Sequence, residues 1–166
     1  MTGPYGEPGP ARTGDAIDGI EMDLLGADAR VLATIWATVD LERALGERSA
    51  LAGEGIGPSE TEEPHLGARV VIVGAPLPEG VPVAVAEPTT EGRLAATLAR
   101  HGEGQVGRYV AVRSPLDEIA RRAAAIGVAV SRPLDGPFGR SVLVLHGPVT
   151  GPHLIIVETP AVPSPR

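Results

Sequence analysis

Short runs of alternating apolar and polar residues extend from Val31 to Thr159, separated by segments of helical spacing and by turn residues. The alternation predicts strands at Thr34 to Val39, Arg69 to Val73, Val83 to Ala86, Arg108 to Val112, Ser141 to Leu145 and Leu154 to Val157. Weaker patterns near Glu54 to Glu62 and Val128 to Arg132 predict two more. Three helical patterns lie between the strands. The first starts at Asp40, an N-cap residue, with Leu41, Ala44 and Leu45 on one face. The second begins at Thr89 and sets Leu94 and Leu98 four apart. In the third, Ser114 and Asp117 form a capping box around Pro115, Leu116, Ile119, Ala120 and Ala123 make the stripe, and Gly127 closes the helix.

The order of elements is strand, helix and three strands, then a linking helix, then the same set again. Val39 and Val112 stand 73 residues apart, while Gly67 and Gly139, Val70 and Val142, and Pro76 and Pro148 each stand 72 apart. A nearly constant offset that aligns strands, turns and helix starts predicts two βαβββ modules. They cover about 31–88 and 104–159, are joined by a helix at 89–101, and make up one domain at 28–160. Residues 1–27 read as a disordered Gly- and Pro-rich arm whose apolar patch (Ile17, Ile20, Met22, Leu24, Leu25) is able to dock as one helical turn, and 161–166 is a Pro-rich tail.

Composition narrows the function classes. A length of 166 residues suits one core. The net charge of −7, with Arg supplying all 14 positive charges, repels phosphate backbones and anionic lipid. The four aromatics, Tyr5, Trp36, Tyr109 and Phe138, provide no platform for stacking bases, so no nucleic-acid partner is expected. The absence of Cys removes disulfides and thiolate metal sites. No run is long and apolar enough to span a membrane, and the N-terminus has no signal-peptide pattern, so a cytoplasmic protein is expected.

Three segments carry a specific likeness: TIWATVDLERAL from Thr34, AEPTTEGRLAATLARHGEGQVGRYVAV from Ala86, and GRSVLVLHGPVTGPHLIIVET from Gly139. Together they resemble the vicinal oxygen chelate superfamily, which includes glyoxalase I, methylmalonyl-CoA epimerase, extradiol dioxygenases and bleomycin resistance proteins. The resemblance spans about residues 31–159 and is strongest to the epimerase pattern. It implies an α+β fold in which tandem βαβββ modules form a curved, barrel-like mixed sheet around one cavity, with two metal ligands from each half. The family's ligand positions fall on Thr34, Ala84, Gly107 and Ile156, and slipping a strand by one residue brings in Ala33, Ile35, Arg108 or Ile155. None of these side chains suits a divalent ion. His65, His101, His146 and His153 lack ligand spacing, and His101 reads as a helix C-terminal residue facing the dipole. No metal and no cofactor are expected.

Strand alternation assigns Thr34, Trp36 and Thr38 to the cavity side and Ile35, Ala37 and Val39 to the helix side. Trp36 then either stacks on a flat ligand or fills the space of the absent metal. Tyr109 falls on the cavity side and either polarises a carbonyl or is a core tyrosine with a satisfied hydroxyl. For the base that removes a proton beside a carbonyl, Glu158 and Glu62 are the candidates, while Glu60 and Glu63 read as a solvated acidic loop before Pro64. Arg69 and Arg140 either hold an anion or are exposed strand-start residues, and Ser131 to Arg140 reads as a lid. Thr34, Trp36, Thr38, Ala84, Gly107 and Ile156 are the expected walls for a small hydrophobic organic ligand. The expectation is a metal-independent isomerase, cyclase or lyase of specialised metabolism acting on a polyketide-like or acyl carbonyl compound, as a homodimer. A binding protein that sequesters its ligand is the alternative, and a degenerate copy kept for dimerisation a third reading.

Overall fold

The computed structural model describes residue 21 and residues 23–49, 59–74 and 80–159. In chain order the elements are β1 (Arg30–Ala37), α1 (Leu41–Ser49), β2 (Glu60–Glu63), β3 (Ala68–Val73), β4 (Val83–Pro88), α2 (Arg93–His101), β5 (Gly104–Val112), α3 (Leu116–Ala125), β6 (Ala129–Val130), β7 (Leu134–Gly136), β8 (Gly139–Leu145) and β9 (His153–Glu158). The strand order is β2-β3-β4-β1-β5-β9-β8-β6, with β7 also paired to β8. Each module contributes one side of this mixed sheet, and the modules join edge to edge where β1 runs antiparallel to β5. The sheet curls into a half-barrel with few helices, as expected for tandem βαβββ modules.

Register assigns every strand residue to a face, because directly paired residues point the same way. On the inner face Ile35 pairs with Ala84 and Gly107, Ala33 with Tyr109, and Tyr109 with Ile155. These residues form one buried core with Val70, Leu143 and Val157. The small side chains Ala33, Ala37, Ala68, Ala84 and Ala86 allow this face to curve tightly around the larger Tyr109 and Ile155. The outer face is covered by helices. Leu41 and Ala44 of α1 pack on Val71 and Val85, while Leu116, Ile119 and Ala123 of α3 pack on Val110, Val142 and Ile156.

Helix ends follow local chemistry. The Asp40 carboxylate accepts the Arg43 N–H at 2.9 Å, making Asp40 the N-cap of α1 as its sequence position predicts. The capping box expected at Ser114 and Asp117 does not form. Pro115 occupies the N-cap position in extended conformation, at ψ 146°, and no side chain caps the helix. The second helix starts at Arg93 rather than Thr89, with Gly92 as its N-cap. Gly127, at φ 73°, closes α3 as expected. From the N-terminal arm, Leu24 and Leu25 are buried against the α3 core, and Glu21 pairs with Arg108 of β5. Residues 1–20, the Pro76 repeat position and the tail at 161–166 lie outside the described residues.

Candidate functional site

β2 enters the half-barrel at its edge, and its parity decides which of its acids turns inward. Glu63 pairs with Ala68 and faces the interior at 0% exposure, whereas Glu62 pairs with Arg69 on the opposite face and is exposed. The Glu63 carboxyl accepts the Tyr109 hydroxyl at 2.8 Å and the His65 backbone N–H at 3.0 Å. Burial raises its pKa, and those two hydrogen bonds only partly offset the rise. Tyr109, 1% exposed, is raised well above the ordinary phenol value by burial and by the carboxylate beside it. Phe138 packs on the Tyr109 ring with centroids 4.9 Å apart. Gly136 of β7 lies over the carboxyl, where any Cβ would come within 2.9 Å of Oε2. The segment expected to act as a lid, Ser131 to Arg140, therefore covers the carboxyl through Gly136 and the phenol through Phe138. The buried His65 joins the same group, with Nε2 3.1 Å from the Ser141 carbonyl and Nδ1 3.3 Å from Ser131 Oγ.

A cavity of about 730 Å³ opens at the other end of the inner face, beneath the starts of β5 and β9 and beside the C-terminal turn of α2. Its lining includes Thr97, Arg100, His101, Gly107, Arg108 and His153. Gly107 is dictated by a close approach. A Cβ there would lie 2.2 Å from the His153 carbonyl oxygen, so no side chain fits where the resemblance asks for a histidine. His153 stands beside it on the neighbouring strand, 4% exposed, with Nε2 2.9 Å from Thr97 Oγ1.

The structure moves several sequence-predicted residues out of the interior. Thr34 and Trp36 pair with Val83 and Val85 on the α1 side, one position out of phase with the expectation, and the Arg48 guanidinium lies 4.4 Å from the Trp36 ring centroid. Thr38 is buried, but its hydroxyl donates to Glu103 at 2.7 Å in a network with Arg43 at the start of α1. Ile156 packs under α3, and Glu158 shares its face at the strand end, so neither reaches the interior. Ala84, Gly107 and Tyr109 do face inward. Arg69 is engaged by Glu87 and Glu60, and Arg140 is exposed. The residues missed as site candidates are Glu63, His65 and His153. The sequence signal for His153 is its place in the inward alternation His153, Ile155, Val157, but no local signal separates Glu63 from Glu62.

Comparison with solved structures matches the fold to known proteins. Methylmalonyl-CoA epimerase from Mycobacterium tuberculosis superposes with a TM-score of 0.65 at 22% identity, covering 84% of this chain and 91% of that one. A variant of the Streptomyces coelicolor epimerase in complex with 2-nitronate-propionyl-CoA gives 0.59 at 22% identity, over 79% of this chain and 98% of that one. The chain has the vicinal oxygen chelate fold. A hypothetical protein from Bacillus halodurans shares it, with a TM-score of 0.59 at 17% identity over 79% and 94% of the two chains. No protein-family model and no curated protein matches the sequence.

The vicinal oxygen chelate fold implies a divalent ion, and this chain does not fit one at the expected place. The inward residues there are Ile35, Ala84, Gly107 and Ile155, which offer no donor side chain. Among the described residues, no three His, Asp or Glu side chains converge as ligands.

Proposed function

We propose that this protein is a metal-independent isomerase that moves a proton next to the carbonyl of a small hydrophobic acyl compound, with Glu63 as base and Tyr109 as hydrogen-bond donor. The observation that carries the reading is the Glu63–Tyr109 pair, 2.8 Å apart and enclosed in the interior of the half-barrel. A carboxyl held above its ordinary pKa by burial is a stronger base than a solvated one. The carboxylate takes the proton from the carbon beside the carbonyl. The electrons of that C–H bond form an enolate, and its oxygen accepts the Tyr109 O–H. Return of a proton to carbon completes the isomerisation and restores the carboxylate. Substrate reaches the carboxyl when the Ser131 to Arg140 segment lifts Gly136 and Phe138 away from it.

The solved epimerases of the same fold supply the first test substrate. Exchange of the α-proton of methylmalonyl-CoA, and of simpler acyl thioesters, into deuterium oxide is followed by NMR after treatment with chelator. Glu63→Gln is expected to slow exchange by roughly a hundredfold or more. Glu62→Gln and Glu158→Gln retain the wild-type rate. Wild-type exchange in Glu63→Gln, or a rate that depends on added divalent ion, would overturn the assignment. The complete closure over Glu63 and Tyr109 favours a second reading, in which the protein sequesters its ligand without reaction. Stoichiometric binding without exchange supports that reading.

A further inference from the structure

The cavity beneath β5 and β9 holds a polar group that the proposed proton transfer leaves unused. Thr97 Oγ1 donates to the Arg93 carbonyl at 2.8 Å, so its contact with His153 is one in which it accepts from Nε2–H. This fixes the tautomer from the hydrogen-bond network and leaves His153 Nδ1 as an acceptor. Nδ1 has no partner among the described residues, none of which carries a buried, unpartnered side-chain nitrogen or oxygen. It is therefore not sealed in the core, and His153 lines the cavity. Burial, reinforced by Arg93, holds the imidazole down to about 4, so it is neutral and accepting at physiological pH.

The rest of the lining defines a complementary ligand. Arg100, His101 and Arg108 border the cavity, and among the described residues no Asp or Glu does, although the chain carries a net charge of −7. Arg108 is held by Glu21, while the exposed Arg100 has no ion pair among the described residues. Val106 and Leu154 provide apolar wall between these polar points. We propose that this cavity is a second ligand site, separate from Glu63, for a small apolar carboxylate that also carries an O–H or N–H donor. The carboxylate lies against Arg100 and the donor bonds to His153 Nδ1. The site does not depend on the isomerase reading, since it shares no residue with the Glu63–Tyr109 pair.

The probe is 4-hydroxybenzoate, which has a carboxylate, an apolar ring and a phenolic donor. Its titration into the full-length protein is followed by the imidazole nitrogen resonances in two-dimensional NMR, with His153 assigned from His153→Gln. A saturable shift of His153 Nδ1 is expected. Affinity falls by about tenfold in His153→Phe and by about threefold in Arg100→Gln, a surface change that leaves folding intact. Glu63→Gln binds as wild type. Absence of a saturable shift at about 10 mM probe overturns the proposal. So does wild-type affinity in both cavity variants, and so does loss of binding in Glu63→Gln alone, which would put the probe in the interior.

Discussion

At the scale of single residues, three neighbouring or equivalent carboxylates have different fates. Glu62 is solvated, Glu158 closes the α3 face of β9, and Glu63 is sealed in the core. Glu63 has a raised folded pKa, so its protonated form stabilises the fold, and that contribution is lost as pH rises from the ordinary carboxylate range through the raised value. Replacing it with Gln removes the ionisation penalty. The Gln oxygen accepts the His65 N–H, and its amide donates to the Tyr109 oxygen. Glu63→Gln is therefore expected to gain stability relative to the wild type as pH rises toward 8, followed by urea unfolding, while slowing any turnover. The opposite result, a relative loss toward that pH, would mean that the carboxylate is held for stability. Gly107→Ala tests the close approach of β5 and β9. With 2.2 Å between the added Cβ and the His153 carbonyl, a loss of about 3 kcal/mol or more is expected, because backbone has to move.

At the scale of elements, the sequence located the strands well and set the phase of β1 and β9 one residue out. β1 is weakly amphipathic, since Ala33, Ile35 and Ala37 on one side and Val31 and Trp36 on the other are apolar and only Thr34 marks the outer face, so alternation alone leaves its inner face undefined. Pairing to β4 resolves it, placing Trp36 with Val85 beneath α1. The same one-residue ambiguity separates Ile156 from Ile155 in the run Leu154 to Val157. Trp36, as the only tryptophan, thus reports on α1 rather than on a ligand. Its emission is expected to change when Asp40→Ala weakens the helix cap, a change costing about 1 kcal/mol, and to stay constant as 4-hydroxybenzoate saturates the cavity. Quenching by the probe would instead place Trp36 at a binding surface.

At the scale of the whole molecule, pH acts on buried groups with opposite signs. His153, held at about 4 against an ordinary value of 6.5, and His65, also lowered by burial, stabilise the fold above the ordinary value. That contribution is lost as pH falls through the depressed values, because the unfolded chain binds the protons first. For His153 the shift corresponds to about 3 kcal/mol lost between pH of about 6.5 and about 4. Ionisation of Glu63 opposes this slope over the part of the window above the ordinary carboxylate value. Stability of Glu63→Gln is therefore expected to rise more steeply with pH between about 4 and 6.5 than that of the wild type, measured as urea midpoints across the range. A parallel or shallower profile would contradict the buried, raised state of the carboxyl.

The sequence by itself determined the doubled βαβββ plan, the α1 cap at Asp40, the place of the covering segment at 131–140, and the absence of metal-binding side chains at all four resembling positions. Those features are local or periodic, and a one-residue slip leaves each of them intact. Tertiary structure alone decided which face of β1, β2 and β9 turns inward. It exchanged Glu62 for Glu63, removed Trp36 from the interior, and set His153 beside a glycine that leaves it room. The physical reason is that side chains alternate with a period of two, so a strand apolar on both faces carries no phase of its own and takes it from the strand it pairs with.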